Sequence, residues 1–261
     1  MISVDRRVFR APHYLYEDAA RRIVRGGDIG LLAEHWLVLC GVGGSYAGEE
    51  AERLGCSDVS GTCSSSYLCG GPRTGFTMLV IPGGGYHAEE LMALASARSV
   101  KEVVVLGCCL GMRGDVVLGD VIVSAAALRD EEITAHYVPK EYPAAAHPLL
   151  VARLHEALSS AGLSPRVGLT ATTLSPYSLD PEKAREMGEK RILCVDTHTS
   201  IFYVFASLLG MRAASILVVN GNLAEPISPG PVTEHLIESR FRAIVRVVAE
   251  LMAERSRVGG W

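Results

Sequence analysis

The segment RILCVDTHTSIFYVFASLLGMRAASILVVNGNL, residues 191–223, joins a helix pattern directly to a strand pattern. Its first polar cluster consists of Asp196, Thr197 and His198. The apolar run 199–210 follows this cluster and ends on a glycine, which predicts a buried helix. A continuous β-branched run at 214–219 then ends at Asn220 and predicts a buried strand. The segment therefore predicts an α/β unit with polar side chains at the helix start and at the strand end.

Similar patterns continue on both sides of this segment. Further strands are predicted at 35–40, 76–81, 102–107 and 120–125. Further helices are predicted at 87–98, 147–162 and 233–255. The apolar runs are continuous, as expected where helices or loops cover both faces of a sheet. Strands that alternate with helices predict a three-layer α/β fold, formed as a single domain over residues 1–261.

Two loop-rich stretches separate these elements. Residues 55–75 form either a long hairpin or an irregular excursion. Residues 220–231 follow the carboxyl end of a strand, where open α/β sheets bind their ligands. The second stretch is therefore a candidate part of a binding site.

Composition and charge exclude several classes of protein. Hydrophobic residues make up 49% of the 261 residues, which is enough for a sizeable core. A net charge of −4 without a Lys/Arg-rich run argues against nucleic-acid and anionic-membrane partners. The first residues lack the apolar region of a signal peptide, and no apolar stretch is long enough to span a bilayer. We therefore expect a cytoplasmic protein.

The chain has seven cysteines. An odd number without a secretion signal argues against a disulfide framework. Cys56, Cys63 and Cys69 lack the short CxxC spacing of a zinc site, so no metal is predicted. Their disulfide state stays open, because intracellular proteins of thermophiles can form such bonds.

Three segments together resemble one known family. They are VVVLGCCLGMRGDVVLGDVIVSAAALRDE (103–131), HYVPKEYPAAAHPLLVARL (136–154) and the opening segment. Their order, spacing and local pattern resemble the purine-nucleoside and uridine phosphorylase superfamily, and 136–154 is most similar to the uridine phosphorylases. Weaker similarity at 35–45 and 79–96 matches the first two glycine turns of the family. The resemblance covers most of residues 35–250 and implies a three-layer αβα fold with a central mixed, partly barrel-like sheet.

The resemblance also implies a reaction, the cleavage of a nucleoside N-glycosidic bond by phosphate. Phosphate is then a co-substrate, and no metal or other cofactor is implied. The transition state resembles an oxocarbenium ion, so the site must bind phosphate, hold the ribose hydroxyls and assist the leaving base. Members of the family assemble as dimers, trimers or hexamers, so a homo-oligomer is expected.

The resemblance places the phosphate site at glycine turns. The implied residues are Gly41, Gly43, Gly44, Gly84, His87 and Cys108. Backbone N–H groups at such turns bind anions, and a protonated histidine adds charge. The phosphate-binding arginines of the family are absent from their usual places, since Val105 replaces one and residues 41–50 contain none. The alternative interpretations are a tight strand-to-helix turn at 41–44 and a surface position for His87.

The resemblance places the nucleoside site at both ends of the opening segment. His198 occupies the position of the glutamate that holds the ribose hydroxyls, and Asn220 begins the pair that replaces the Ser-Asp of the family. We assign the catalytic role to these two residues. The substrate-binding candidates are Tyr177, which would wall the base, together with Asp196, Thr197 and Asn222. The alternative for Asp196 or Thr197 is to cap the helix that begins near residue 199.

Two further residues have structural interpretations. Arg129 matches an arginine of the family. It either orients an element of the site or forms a structural ion pair, and the structural role is favoured. Cys108 is expected to pack in the core, since a nucleophilic thiol would need a nearby base that the sequence does not show.

The resemblance thus predicts a nucleoside phosphorylase with a divergent site, acting on uridine or a purine nucleoside. One alternative is a hydrolytic nucleosidase, because the expected arginines are missing. The other is a non-catalytic nucleoside sensor, because the glutamate and aspartate of the family are also replaced.

Overall fold

The computed structural model describes residues 2–41, 44–225 and 230–258. The strands in these ranges are β1 His35–Cys40, β2 Ser57–Asp58, β3 Ser65–Cys69, β4 Phe76–Ile81, β5 Glu102–Gly111, β6 Val121–Asp130, β7 Ala144–Ala145, β8 Arg166–Thr173, β9 Ile192–Asp196 and β10 Arg212–Asn222. The helices are α1 His13–Ile23, α2 Gly44–Arg53, α3 Gly85–Arg98, α4 Pro148–Ser160, α5 Pro181–Glu189, α6 Thr199–Leu209 and α7 Pro231–Val258. Gly43, one of the implied phosphate-binding residues, lies outside the described residues.

The strands form one mixed sheet that closes on itself at one end. Their order is β10-β6-β8-β9-β5-β1-β4-β3-β2, with β7 beside β6. Because β10 also pairs with β5, the strands β5, β10, β6, β8 and β9 close a five-stranded barrel. This arrangement confirms the expected mixed, partly barrel-like sheet.

The long strand β5 belongs to both the open sheet and the barrel. Its first half pairs in parallel with β1, as far as Cys40 beside Gly107. Beyond the end of β1, the same edge of β5 pairs antiparallel with β9, as Leu110 does with Val195. The chain that leaves β9 therefore runs back over the carboxyl end of β1.

Helices cover both faces of the sheet. On one face α1, α3 and α6 pack over a core that contains Trp36 and Phe202. On the other face α2, α4 and α7 pack over a core that contains Met78 and Phe241. The three layers agree with the sequence prediction. Among the described residues, no helix is both long and apolar enough to cross a membrane.

The predicted elements agree best with the structure where the sequence is apolar. Residues 35–40 and 76–81 are strands with the expected ends, whereas the strand predicted at 102–107 continues to Gly111. Cys108 therefore lies within β5 and not in a turn. Strands β8 and β9 are absent from the sequence prediction, because their polar or short patterns did not indicate strands.

The stretch 55–75 is a hairpin closed by a disulfide. Ser57 pairs with Leu68 across β2 and β3, and β3 continues the sheet beside β4. Cys56 and Cys69 form a disulfide across 13 positions of sequence. The sequence left the disulfide state of these cysteines open. The structure decides it, because the strand pairing brings the Cα atoms of Cys56 and Cys69 to 4.2 Å.

We expect the Cys56→Ser/Cys69→Ser double variant to lose about 2 kcal/mol of unfolding free energy, because the disulfide restricts the unfolded chain. Cys63→Ser is the matched control, since Cys63 is an exposed free thiol in the same hairpin. Denaturant unfolding of both variants measures the difference. Thiol titration of unreduced, denatured protein should count five of the seven cysteines. A count of seven would contradict the bond.

Candidate functional site

Asp196 is a buried carboxylate at the end of β9, and its hydrogen bonds hold the start of α6. It is 4% exposed. It accepts hydrogen bonds from the Thr199 backbone N–H at 3.1 Å and from the Thr172 hydroxyl at 2.7 Å. The Thr199 hydroxyl also donates to it. These contacts match the capping alternative for Asp196, and they occupy the carboxylate with protein donors.

His198 is the last residue before α6, and its ring lies over the backbone of β5. A Cβ atom placed on Gly107 would fall 2.5 Å from His198 Cε1 and 2.7 Å from Nε2, so only glycine leaves room for the ring. The imidazole is 2% exposed. Its Nε2 lies 3.5 Å from Asp196 Oδ2, and neither ring nitrogen forms a hydrogen bond with another described residue. His198 therefore has two unused hydrogen-bonding atoms in a buried position.

The surroundings of His198 favour its protonated form. Burial by itself lowers the pKa of the imidazole. The neighbouring Cys40 and Asp196 act in the opposite direction, and together they raise the pKa of His198 to about 9. The ring is therefore a cation at neutral pH.

Two glycine turns meet at the carboxyl ends of the parallel strands β1 and β4. Gly41 has φ +69°, and a Cβ atom on it would lie 3.3 Å from the Cα atom of Gly83. Its backbone N–H donates to the Ile81 carbonyl at 3.0 Å. That N–H is therefore not free for an anion, which favours the interpretation of Gly41 as part of a tight turn. Gly44 is the first residue of α2.

The second glycine turn leads into α3 beside the start of α6. Gly84 has φ +106° at the N-cap of α3. A Cβ atom on Gly85 would lie 2.7 Å from Ile201 Cδ1, so the first turns of α3 and α6 pack closely. His87 is partly exposed, and its ring contacts Tyr86. The N-terminus of α3 thus lies at the same end of the sheet as the Asp196–His198 segment.

Asn220 lies in a bulge of β10 on the opposite edge of β5. The register shifts between Val219, which pairs with Cys109, and Gly221, which pairs with Leu110. Asp196 follows Val195, which pairs with Leu110 from the other edge. The two polar segments thus flank the same part of β5, about 10 Å apart at two strand spacings. The Asn220 side chain is partly exposed and bonds to no other described residue.

Asn222 has a structural role. Its side-chain amide donates to the Arg113 and Val116 carbonyls at 2.8 Å each, and its oxygen accepts from the Glu225 N–H at 3.0 Å. Both amide hydrogens are therefore used within the protein. This leaves Asn220 as the better candidate of the two for contacting a ligand.

We expect Asn222→Ala to lower the free energy of unfolding by about 1–2 kcal/mol, because it leaves two carbonyls and one N–H without partners. Asn220→Ala is the matched control and should stay within about 0.5 kcal/mol of the parent protein. Denaturant unfolding of the two variants compares them directly. Equal losses would show that Asn220 also stabilises the loop.

The remaining residues singled out in the sequence differ in their exposure and contacts. Tyr177 is 102% exposed, so it does not line a pocket formed by the described residues. Thr197 is partly exposed between its two buried neighbours. Burial raises the pKa of the Cys108 thiol to about 12, which keeps it protonated. Arg129 donates to the Thr134 hydroxyl and to three backbone carbonyls of the loop 139–142, contacts that match its structural interpretation.

Sequence reasoning missed two residues of this site, Cys40 and Thr172. Thr172 pairs with Asp196 in the parallel register of β8 and β9, so its role depends on two strands that were not predicted. Cys40 ends β1, and Gly107 beside it makes room for the His198 ring. In the sequence, Cys40 could have been identified as a cysteine at the end of a predicted buried strand.

Comparisons with known proteins identify relatives of this chain. A purine nucleoside phosphorylase of the DeoD type from Caldanaerobacter subterraneus is 26% identical over 148 residues, 56% of this chain and 62% of the relative. The uridine phosphorylase of Thermococcus kodakarensis is 27% identical over 193 residues, 68% of this chain and 67% of the relative. The chain thus spans about two thirds of the length of these relatives.

Solved structures share the fold. A uridine phosphorylase from Vibrio fischeri superposes with a TM-score of 0.73 at 19% identity, covering 87% of this chain and 95% of the other. A purine nucleoside phosphorylase from Toxoplasma gondii gives 0.71 at 18% identity over 87% and 94%. An AMP nucleosidase from Bacteroides thetaiotaomicron gives 0.68 at 19% identity over 91% and 98%. The model of the phosphorylase superfamily matches residues 73–254, more than half of the chain. The chain therefore belongs to the phosphorylase superfamily, which includes nucleoside phosphorylases and nucleosidases.

Proposed function

We propose that the protein cleaves the N-glycosidic bond of a nucleoside, with phosphate as co-substrate and without a metal or other cofactor. The observation that supports this most strongly is the position of the Asp196–His198 segment. It leaves β9, passes over the end of β1 and starts α6 beside the N-terminus of α3. Three groups thus lie at one end of the sheet. They are the cationic imidazole of His198, the N-terminus of α3 and the unbonded side-chain amide of Asn220.

In this proposal His198 compensates in part for the missing arginines. A protonated imidazole donates hydrogen bonds and attracts an anion, so His198 suits a phosphate oxygen or a ribose hydroxyl. The N–H groups of the first turn of α3 add the positive end of a helix dipole to the anion site. Gly84 and His87 belong to that turn.

Asn220 is assigned to the base. An amide donates and accepts at the same time, so it can pair with the edge of a uracil or a purine. It can also donate a hydrogen bond to the base as negative charge develops on the leaving nitrogen. We further propose that the protein is a cytoplasmic homo-oligomer, in which a neighbouring subunit supplies the wall that the exposed Tyr177 does not form within its own chain.

A hydrolytic nucleosidase is the second candidate. Val105 stands where the family has a phosphate-binding arginine, and it is buried in the apolar core. A valine offers phosphate neither charge nor hydrogen bonds, so this position favours water as the nucleophile.

Incubation with uridine, inosine and adenosine, with and without phosphate, tests the proposal. We expect base release that requires phosphate. Release without phosphate would identify a nucleosidase, and binding without release would identify a sensor, so either outcome would overturn phosphorolysis.

If the protein cleaves nucleosides, we expect His198→Ala and Asn220→Ala each to lower kcat/KM at least about tenfold, roughly 1.4 kcal/mol of transition-state stabilisation. His155→Ala on the exposed side of α4 is the control and should leave kcat/KM unchanged. Steady-state kinetics at saturating phosphate, on variants with parental circular dichroism, measure the effect. Parental kinetics in both variants would move the site elsewhere.

A further inference from the structure

The turn that carries His198 is held at both ends by one buried hydroxyl. Thr172 lies on β8 beside Asp196, and its Oγ1 donates to Asp196 Oδ1 at 2.7 Å. The same oxygen accepts from the backbone N–H of Ser200 at 2.9 Å. His198 lies midway between these two partners in the sequence. The Thr172 hydroxyl therefore fixes both ends of the turn that places the His198 ring over Gly107.

A second buried carboxylate holds the same turn through the side chain of Ser200. Glu131 follows β6, and its side chain is fully buried. Ser200 Oγ donates to Glu131 Oε1 at 3.3 Å, and the Thr134 backbone N–H donates to Oε2 at 3.0 Å. Arg129 Nε lies 3.8 Å from Glu131 Oε1 and donates to the Thr134 hydroxyl at 2.9 Å. The first turn of α6 is therefore bonded to the end of β6 as well as to β8 and β9.

Capping of the helix does not require these additional contacts. Asp196 already accepts from the Thr199 backbone N–H, which is the ordinary contact of a helix cap. A buried polar network whose members are bonded to one another fixes a single arrangement of its side chains. Such precision matters for His198, because a displacement of about 1 Å in a reacting group can lower a rate about a hundredfold.

We propose that Thr172, Ser200 and Glu131 form a clamp that positions His198, and that Thr172 and Glu131 are positioning residues for the reaction. The inference rests on the proposed function, since His198 is the group assigned there to the substrate. The clamp residues do not need to reach the substrate, because they act through the start of α6. A purely structural role would lower stability alone, whereas a positioning role also changes the titration of the His198 ring.

Thr172→Val tests the clamp, because it removes the hydroxyl and keeps the shape of the side chain. Burial lowers the pKa of His198, but Cys40 and Asp196 together raise it to about 9. A ring that loses its fixed position should approach the ordinary value near 6.5. We expect NMR titration of the histidine rings to show a pKa of His198 at least about half a pH unit lower than in the parent protein. His198→Gln identifies the ring signals, and no nucleoside is needed.

Thr170→Val is the matched control for this variant. Thr170 lies on the same strand, is equally buried and bonds to the Ser124 hydroxyl at 2.8 Å, away from the start of α6. We expect it to lose stability but to keep the parental pKa of His198. Thr172→Ser retains the hydroxyl and should also keep that pKa. An unchanged pKa in Thr172→Val, or an equal decrease in Thr170→Val, would overturn the clamp.

Ser200→Ala is a milder variant that tests the clamp even if Thr172→Val does not fold. Alanine favours the helix and keeps the backbone N–H, so the change removes only the bond to Glu131. We expect a smaller decrease in the pKa of His198. Ser207→Ala near the end of α6 is the control, because its hydroxyl bonds to a tyrosine 65 positions away. Equal titrations in the two serine variants would overturn the role of Glu131.

Steady-state kinetics distinguish the clamp from the proposed function. If the protein cleaves nucleosides, we expect Thr172→Val to lower kcat at least about fivefold and to change KM less than about twofold, because a displaced ring loses an interaction made in the transition state. Thr172→Ser and Thr170→Val should keep the parental kcat. A parental kcat in Thr172→Val would overturn the positioning role. Absence of nucleoside cleavage would overturn the proposed function alone, because the titration of His198 tests the clamp without a substrate.

Discussion

Replacing Asp196 with alanine is expected to lower the free energy of unfolding by about 3–5 kcal/mol, the largest change of any single side chain considered for this site. The carboxylate is buried, and it accepts hydrogen bonds from the Thr172 hydroxyl and from both polar groups of Thr199. Its loss leaves the Thr172 hydroxyl and the Thr199 N–H without an acceptor, and it leaves the His198 cation without its neighbouring charge. Denaturant unfolding at pH 7 measures the loss.

Asp180→Ala is the matched control for this variant. Asp180 also caps a helix, since its carboxylate accepts from the Lys183 N–H at 2.8 Å, but this bond is exposed. We expect a loss of about 1 kcal/mol, the usual effect of an N-cap. Equal losses in the two variants would show that Asp196 acts as an ordinary cap, without a contribution from its burial.

Raising the pH from 6.5 to 8 is expected to lower the free energy of unfolding by roughly 2 kcal/mol through His198 alone, and by roughly 3 kcal/mol by pH 9. The pKa of His198 is about 9 in the folded protein and lies near 6.5 in an unfolded chain. The folded state therefore binds more protons between these values. The stabilisation is complete below pH 6.5 and is lost as the pH rises through 9.

His198→Gln isolates this contribution, because glutamine cannot titrate. We expect the difference in unfolding free energy between the parent protein and the variant to shrink as the pH rises from 6.5 to 8. The buried thiols Cys108 and Cys109 act above about pH 8.5, where unfolded cysteines ionise, so the chosen range excludes them. A constant difference would show that the folded protein does not raise the pKa of His198.

The strands and helices could be predicted where burial alone selects the residues. Strands β1 and β4 and helix α6 consist of continuous apolar runs, and their limits agree with the sequence pattern within one residue. Strand β8 was missed because its buried positions include Thr170 and Thr172. Their hydroxyls are acceptable in the interior because Ser124 and Asp196 bond to them, and those partners are 46 and 24 positions away in the sequence.

Within the candidate site, the sequence identified polar residues but not their partners. Asn220 and Asn222 stand two positions apart on β10 and carry the same side chain. A bulge leaves the first unbonded, while the second is fixed by Arg113 and Val116, more than one hundred positions earlier. No local pattern distinguishes the two residues.

The sequence by itself determined the layered α/β fold, the resemblance to the phosphorylase superfamily and the location of a polar cluster before α6. These follow from the order of apolar runs and glycine turns, which are local properties of the chain. Only the tertiary structure decided that Asp196 is held by Thr172, that Gly107 accommodates the ring of His198 and that Cys40 lies beside it. The reason is that β9 replaces β1 at the edge of β5, and such a strand pairing joins residues that are far apart in the sequence.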